Sequence, residues 1–177
     1  MTFWINLVGY QSVWFLLVRG AAQAHLALPL LAGAVFVLGQ LLTSQHPSRD
    51  ARLLVAALLM GLLVDGVAAS TGWLDYASRV PAWPPQGAPV WILMLWACFA
   101  TTIPRSLSVL RSRPWLAALA GGLGAPMSYL AAARGWGAVQ VSSWPGLPWI
   151  AACWALALPL LGALSQYDAR RDESSRT

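Results

Sequence analysis

The chain has 177 residues, 58% of them apolar and 10% charged, with eleven Trp and a mean hydropathy of +0.61, whereas an ordinary soluble domain is about 25% charged. Its formal charge of +5 comes from eleven arginines and no lysine, without the basic runs interleaved with aromatics that mark nucleic-acid binding. These values exclude a water-soluble domain and a nucleic-acid module, and they make anionic lipid headgroups the partner of the arginine excess.

In chain order, six nearly uncharged stretches each approach the roughly 20 residues that carry a helix across the ~30 Å hydrocarbon core. The first runs from Trp4 to Ala21 and holds Asn6 and Gln11. A cleaved signal would need a basic start and an uninterrupted apolar core, so this stretch reads as a membrane helix despite the Ala22-Gln23-Ala24 run after it. The second spans Leu26 to Leu42, and a short polar turn, Ser44 to Asp50, leads to the third, Ala51 to Ser70, which contains Asp65. The connection Thr71 to Gly87 is longer and carries Trp73, Tyr76 and Trp83 among prolines. Trp and Tyr favour the headgroup layer, so this segment is expected to lie on the membrane surface.

The fourth stretch runs from Ala88 to Pro104, and an arginine-rich turn, Arg105 to Arg113, follows it. The fifth, Pro114 to Ala133, contains Gly121, Gly122 and Gly124 with Ala117 and Ala125, small residues at the spacing that lets helix backbones approach closely. Pro126 should kink it just before Ser128 and Tyr129. A second Trp-bearing connection, Gly135 to Gly146, leads to the sixth stretch, Leu147 to Leu164. The expected architecture is an all-α, polytopic bundle of six transmembrane helices, one domain over residues 1–167 with a polar cytoplasmic tail over 168–177.

Arginine placement orients the bundle. Arg49, Arg52, Arg105, Arg111, Arg113, Arg170, Arg171 and Arg176 fall on one side, and Arg19, Arg79 and Arg134 on the other. Positive flanks stay inside, so both termini are expected in the cytoplasm, in a multi-pass protein of the inner membrane.

Depth then selects the candidate site. At about 1.5 Å per residue, Asp65 lies roughly 21 Å along the third stretch from its cytoplasmic start, with Ser128, Tyr129 and Trp96 near that level. Gln11, Thr101 and Thr102 form a second polar level closer to the cytoplasm, with Asn6 and Arg105 below. An acid facing lipid at such a depth costs about 2.5–3.5 kcal/mol, so Asp65 should face the bundle. It could titrate or anchor a cationic substrate, or it could fix helix register through Tyr129, Ser128 or one of Arg19, Arg79 and Arg134; both readings stay open. Thr101 and Thr102 can bond back to their own helix, Asn6 and Gln11 can bond across helices, and Arg105 can snorkel to the interface.

Other chemistries are argued down. No Ser, His and Asp set, phosphate loop or metal-ligand spacing is present, His25 and His46 belong to opposite faces, and Cys98 and Cys153 read as small apolar residues. No cofactor or metal is expected.

The order Asn6, Gln11 and Trp14, then Gly61 to Asp65, then Pro89 to Thr102 with Trp91 and Trp96, then Gly121 to Tyr129 through Pro126, and Gly135-Trp136-Gly137-Ala138 resembles the bacterial membrane family catalogued as domain of unknown function twenty-eight seventy-eight. The resemblance covers nearly the whole chain. It implies a small multi-spanning inner-membrane protein of unassigned activity with a lipid connection. With the depth argument, the expectation is a polar pocket in the outer half of the bilayer, built from Asp65, Trp96, Ser128 and Tyr129, that binds or transports a lipid or small amphiphile, with Gln11 and Thr101 of the second level as further candidate ligand-binding residues. A lipid-modifying enzyme using Asp65 and Tyr129, and a scaffold for a membrane protein partner, are the alternatives.

Overall fold

The computed structural model describes residues 2–174, with side chains described for residues 3–167. It is all-helical, apart from two short strand pairs. Among the described residues the order is α1 (Thr2–Ala22), α2 (Ala27–Leu42), α3 (Pro47–Ser70), β1 (Leu74–Tyr76), β2 (Ala82–Trp83), β3 (Ala88–Pro89), α4 (Val90–Ala100), α5 (Ser108–Arg111), α6 (Pro114–Trp136), β4 (Val139–Val141) and α7 (Gly146–Ser174). Among the described residues three helices are long and apolar enough to cross a membrane: α3, α6 and α7 over Gly146–Tyr167. α2, at 16 residues, and α4, at 11, are apolar but shorter.

Local chemistry sets the ends. α3 and α6 each begin on a proline, where the missing N–H would have had no helical partner anyway. α6 ends at Gly137, whose φ of 67° is left-handed; its N–H donates to the Ala133 carbonyl at 3.0 Å and that of Ala138 to Ala132 at 3.1 Å. Glycine takes this conformation without the Cβ penalty. α6 passes through Pro126, and α7 through Pro159, without a break in helical assignment. Backbone helix in α7 extends to Ser174, so it continues into the segment read as a polar tail; residues 175–177 lie outside the described residues, as do the side chains of Arg170 and Arg171.

The fourth element is shorter than the sequence pattern suggests, because a proline lies at each end. Pro89 is extended, with φ −60° and ψ 144°. Pro104 has no N–H to give to the Ala100 carbonyl, and it disfavours helical geometry at Ile103. The chain therefore turns from Thr101 to Leu107 instead of continuing as helix. Thr101, Thr102, Ile103 and Ser106 in this turn are buried.

α4 occupies the centre, packed against α1, α2 and α3, with Trp91, Trp96, Cys98 and Ala100 at most 2% exposed. The outer helices are inverted in polarity: Trp4, Val8 and Leu16 of α1, Leu31 and Leu38 of α2, Leu59 and Leu63 of α3, Leu119 and Leu123 of α6, and Leu156 of α7 are exposed. Apolar exteriors on this scale mark a surface that does not face water.

The two Trp-bearing connections are not plain surface loops. β1 pairs antiparallel with β4, Leu74 opposite Val141 and Tyr76 opposite Val139, so the connections after α3 and after α6 are joined; β2 pairs with β3. In β1 the residues alternate buried, exposed, buried, which turns Tyr76 inward. Tyr76 is thus a core residue at 5% exposure rather than a headgroup anchor, whereas Trp83 and Trp144 are exposed.

α6 and α7 form the most extensive helix pair. A Cβ on Gly121 would stand 2.2 Å from the Trp154 carbonyl oxygen, whereas one on Gly124 would meet nothing within 4 Å. Gly121→Ala is therefore expected to cost about 1–3 kcal/mol through forced separation of the backbones. Gly124→Ala should be neutral or slightly stabilising. Thermal unfolding of the two variants in detergent checks both outcomes.

Candidate functional site

Asp65 sits on the face of α3 that packs inward and is fully buried. Its Oδ1 accepts hydrogen bonds from the Tyr76 hydroxyl at 2.8 Å and from the Tyr129 hydroxyl, and its Oδ2 accepts one from Trp96 Nε1 at 2.7 Å. Those donors come from β1, α6 and α4, so four elements converge on one carboxylate. Hydrogen bonds to a carboxylate are the stronger class, and a buried acid without them would be costly. Burial, and next the carboxylate against it, push the Tyr76 phenol well above its ordinary range. It therefore stays protonated and remains a donor at neutral pH.

Gly61 makes the Trp96 contact possible. It lies one turn before Asp65, on the same face of α3, and a Cβ there would stand 2.5 Å from the Trp96 ring. The indole therefore lies against bare backbone, with its N–H directed at Oδ2. Trp96 also stacks on Trp154 of α7, with ring centroids 4.1 Å apart and planes at 21°. Phe99 meets Trp154 edge-on at 4.9 Å, and Tyr10 of α1 meets Phe99 at 6.0 Å.

These rings wall a cavity of about 270 Å³ between α1, α4, α6 and α7. Its lining runs from Val139 in β4 to Leu107 just before α5 and Leu110 within it, with Tyr10, Trp14, Trp96, Phe99, Tyr129 and Trp154 between. Asp65 is not in the lining; Trp96 and Tyr129 stand between it and the space. Among the lining residues the buried Trp154 N–H lacks a hydrogen-bond partner, and the Tyr10 hydroxyl belongs to the same lining.

The structure thus brings Asp65, Trp96 and Tyr129 together and adds Tyr76. Ser128 does not meet the carboxylate: it is exposed, lines the aromatic cavity beside Tyr129, and its hydroxyl donates to the Gly124 carbonyl at 3.0 Å. Gln11 lies on the exposed side of α1. Arg79, a possible partner for the acid, donates to the Ala69 carbonyl at 3.0 Å instead.

Thr101 belongs to a second polar cluster, at the far end of α4. Its hydroxyl donates to the Cys98 carbonyl at 2.7 Å and accepts from Asn6 Nδ2 at 3.3 Å. Asn6, fully buried, also donates to Gln40 Oε1 at 3.0 Å and accepts from the Ser106 hydroxyl at 2.6 Å. Arg105 reaches the Thr101 carbonyl at 3.3 Å, the Gln40 carbonyl at 2.7 Å and Asp50 Oδ2 at 3.1 Å. These bonds supply partners for backbone that the broken helix leaves open, a requirement wherever non-helical chain is buried away from water. Among the described residues no group of three or more His, Cys, Asp or Glu side chains comes together to hold a metal.

A family model described as "Protein of unknown function (DUF2878)" matches residues 3–160. No curated protein and no solved structure matches the chain.

Asp65→Ala leaves three buried donors without an acceptor, at about 1–3 kcal/mol each before relaxation. Its expected cost is about 3 kcal/mol or more. Asp65→Asn, which turns an N–H toward one of the donors, should fall below that, and Tyr76→Phe should cost about 1 kcal/mol. The ranking is read from unfolding temperatures in detergent; an Asp65→Ala protein as stable as Tyr76→Phe would remove the carboxylate from its central role.

Proposed function

We propose that this chain, which belongs to the family described as protein of unknown function (DUF2878), is a six-span inner-membrane protein that binds a small amphiphile in the aromatic cavity between α1, α4, α6 and α7. The cavity itself carries the reading. Ligand sites are mostly apolar, aromatic-lined and supplied with a few polar groups, and those for drug-sized molecules measure about 300–1,000 Å³. At about 270 Å³ this one suits a single small amphiphile and is too small for a whole two-chain phospholipid. The Tyr10 hydroxyl and the unpartnered Trp154 N–H are available among its lining residues for the polar part of such a ligand.

Six crossings are supported by three long apolar helices, by the exposed apolar faces of α1 and α2, and by the enclosure of α4. A helix of 11 residues rises only about 17 Å, but its flanking extended and turn segments are buried in protein, where irregular backbone at membrane depth is tolerated. The eight-to-three division of arginines favours cytoplasmic termini. The enzyme reading is weaker, because Asp65 has its oxygens taken by three donors and lies behind Trp96 and Tyr129.

Mass spectrometry of the protein purified from its own membrane tests the proposal. One bound amphiphile per chain is expected, and Tyr10→Phe should weaken its retention by roughly three- to tenfold, the worth of one hydrogen bond. A protein that carries no such molecule and gains no stability from added single-chain amphiphiles would leave the scaffold alternative in its place.

A further inference from the structure

We infer that the cavity fills sideways from the bilayer, through an opening on α6 at Ala120, Gly124 and Ser128, and that its ligand is an uncharged single-chain lipid such as a long-chain alcohol. The inference rests on the binding function proposed above. Residues four apart share one face of a helix. All three of these line the cavity and all three are exposed on the outside of the bundle. Their neighbours Leu119, Leu123 and Met127 are 52%, 65% and 69% exposed, so this part of α6 faces the same solvent as the rest of the apolar exterior.

α6 thus has two different sides. At Gly121 it is closed against the Trp154 backbone, and at Gly124 an added Cβ would meet only open space. Above the opening, Trp136 packs edge-on against Trp14 and Phe15, with centroids at 6.0 and 5.5 Å. That aromatic contact covers the outer end of the gap between α1 and α6 and leaves the lateral route.

The wall chemistry selects the ligand. None of the lining side chains is an arginine or a carboxylate, so an ionic headgroup drawn into the cavity would be desolvated without a counter-charge. The polar groups on offer are neutral: inside, the unpartnered Trp154 N–H together with the Tyr10 hydroxyl, and at the opening the Ser128 hydroxyl, whose proton is given to Gly124 and whose lone pairs remain available. A hydroxyl at the end of one hydrocarbon chain matches both.

The test uses the full chain in phosphatidylethanolamine and phosphatidylglycerol vesicles, with a hexadecanol probe bearing a mid-chain diazirine and the corresponding fatty acid as control. Photolabel from the alcohol is expected on Leu95, Phe99 and Leu158 in wild type. It should fall at least tenfold in Gly124→Trp, whose unfolding temperature stays that of wild type, and persist in Gly124→Ala. Undiminished label in Gly124→Trp overturns the lateral opening while leaving the cavity as a binding site. Equal labelling by the fatty acid overturns the uncharged class. If wild type takes no label in the cavity yet retains a purified amphiphile, the ligand class fails alone; if it takes no label and retains nothing, the binding function fails with it.

Discussion

Away from water, a polar group without a partner has nothing to fall back on, and Asp65 is where this protein meets that constraint most sharply. The carboxylate is satisfied by three donors from three other elements, none of them charged. A conventional ion pair would bring two desolvation costs inside. Two phenols and an indole bring apolar bulk with their donors, so the groups that satisfy the acid also build the core around it. Trp96 shows the economy of this arrangement: one face stacks on Trp154, its N–H reaches Asp65, and its ring rests on the bare backbone of Gly61.

The same constraint explains the other end of α4. Two prolines shorten the helix, and the turn that follows would leave carbonyls open in the bundle. Asn6 and Arg105 both reach the Thr101 carbonyl, Ser106 donates to Asn6, and the Arg105 charge is balanced by Asp50. α4 is therefore a short central rod with two polar attachments, the Asp65 carboxylate at Trp96 in its second half and the Asn6 amide just past its C-terminal end, with apolar packing along the rest. The aromatic cavity lies along this packed middle, on the side of α1 and α6.

What the sequence made legible follows from what helix geometry determines. Six helical stretches were readable from hydropathy, and the common depth of Asp65, Trp96 and Tyr129 from the rise per residue. Facing was harder. Ser128 and Tyr129 are neighbours in sequence, so they point about 100° apart on the helix, and only one of them can meet a given partner. Asn6 and Gln11 are five residues apart and fall on different sides of α1, one buried and one exposed. Tyr76 was hidden by a reading of its segment as a headgroup layer; the signal was the alternation Leu74-Asp75-Tyr76, a strand with one buried face. Gln40, Ser106 and Asp50 could not be assigned to the second cluster without knowing which helices are neighbours. The early end of α4 was written in Pro104, whose effect on Ala100 is local and could be derived.

The C-terminal end of α1 is tied by the Ser78 hydroxyl to the Ala21 carbonyl at 2.8 Å, and its N-terminal end by Asn6 to Thr101 and Ser106. Between these ties the Ser12 hydroxyl bonds within the helix, to the Val8 carbonyl. Mechanically this is a beam clamped at both ends, with nothing but ring and aliphatic contacts along its middle. Bowing of such a beam near Tyr10 and Trp14 would disturb packing rather than the hydrogen bonds at its two ends. The width of the space beside it is then set by the stiffness of one helix rather than by the opening of a polar latch.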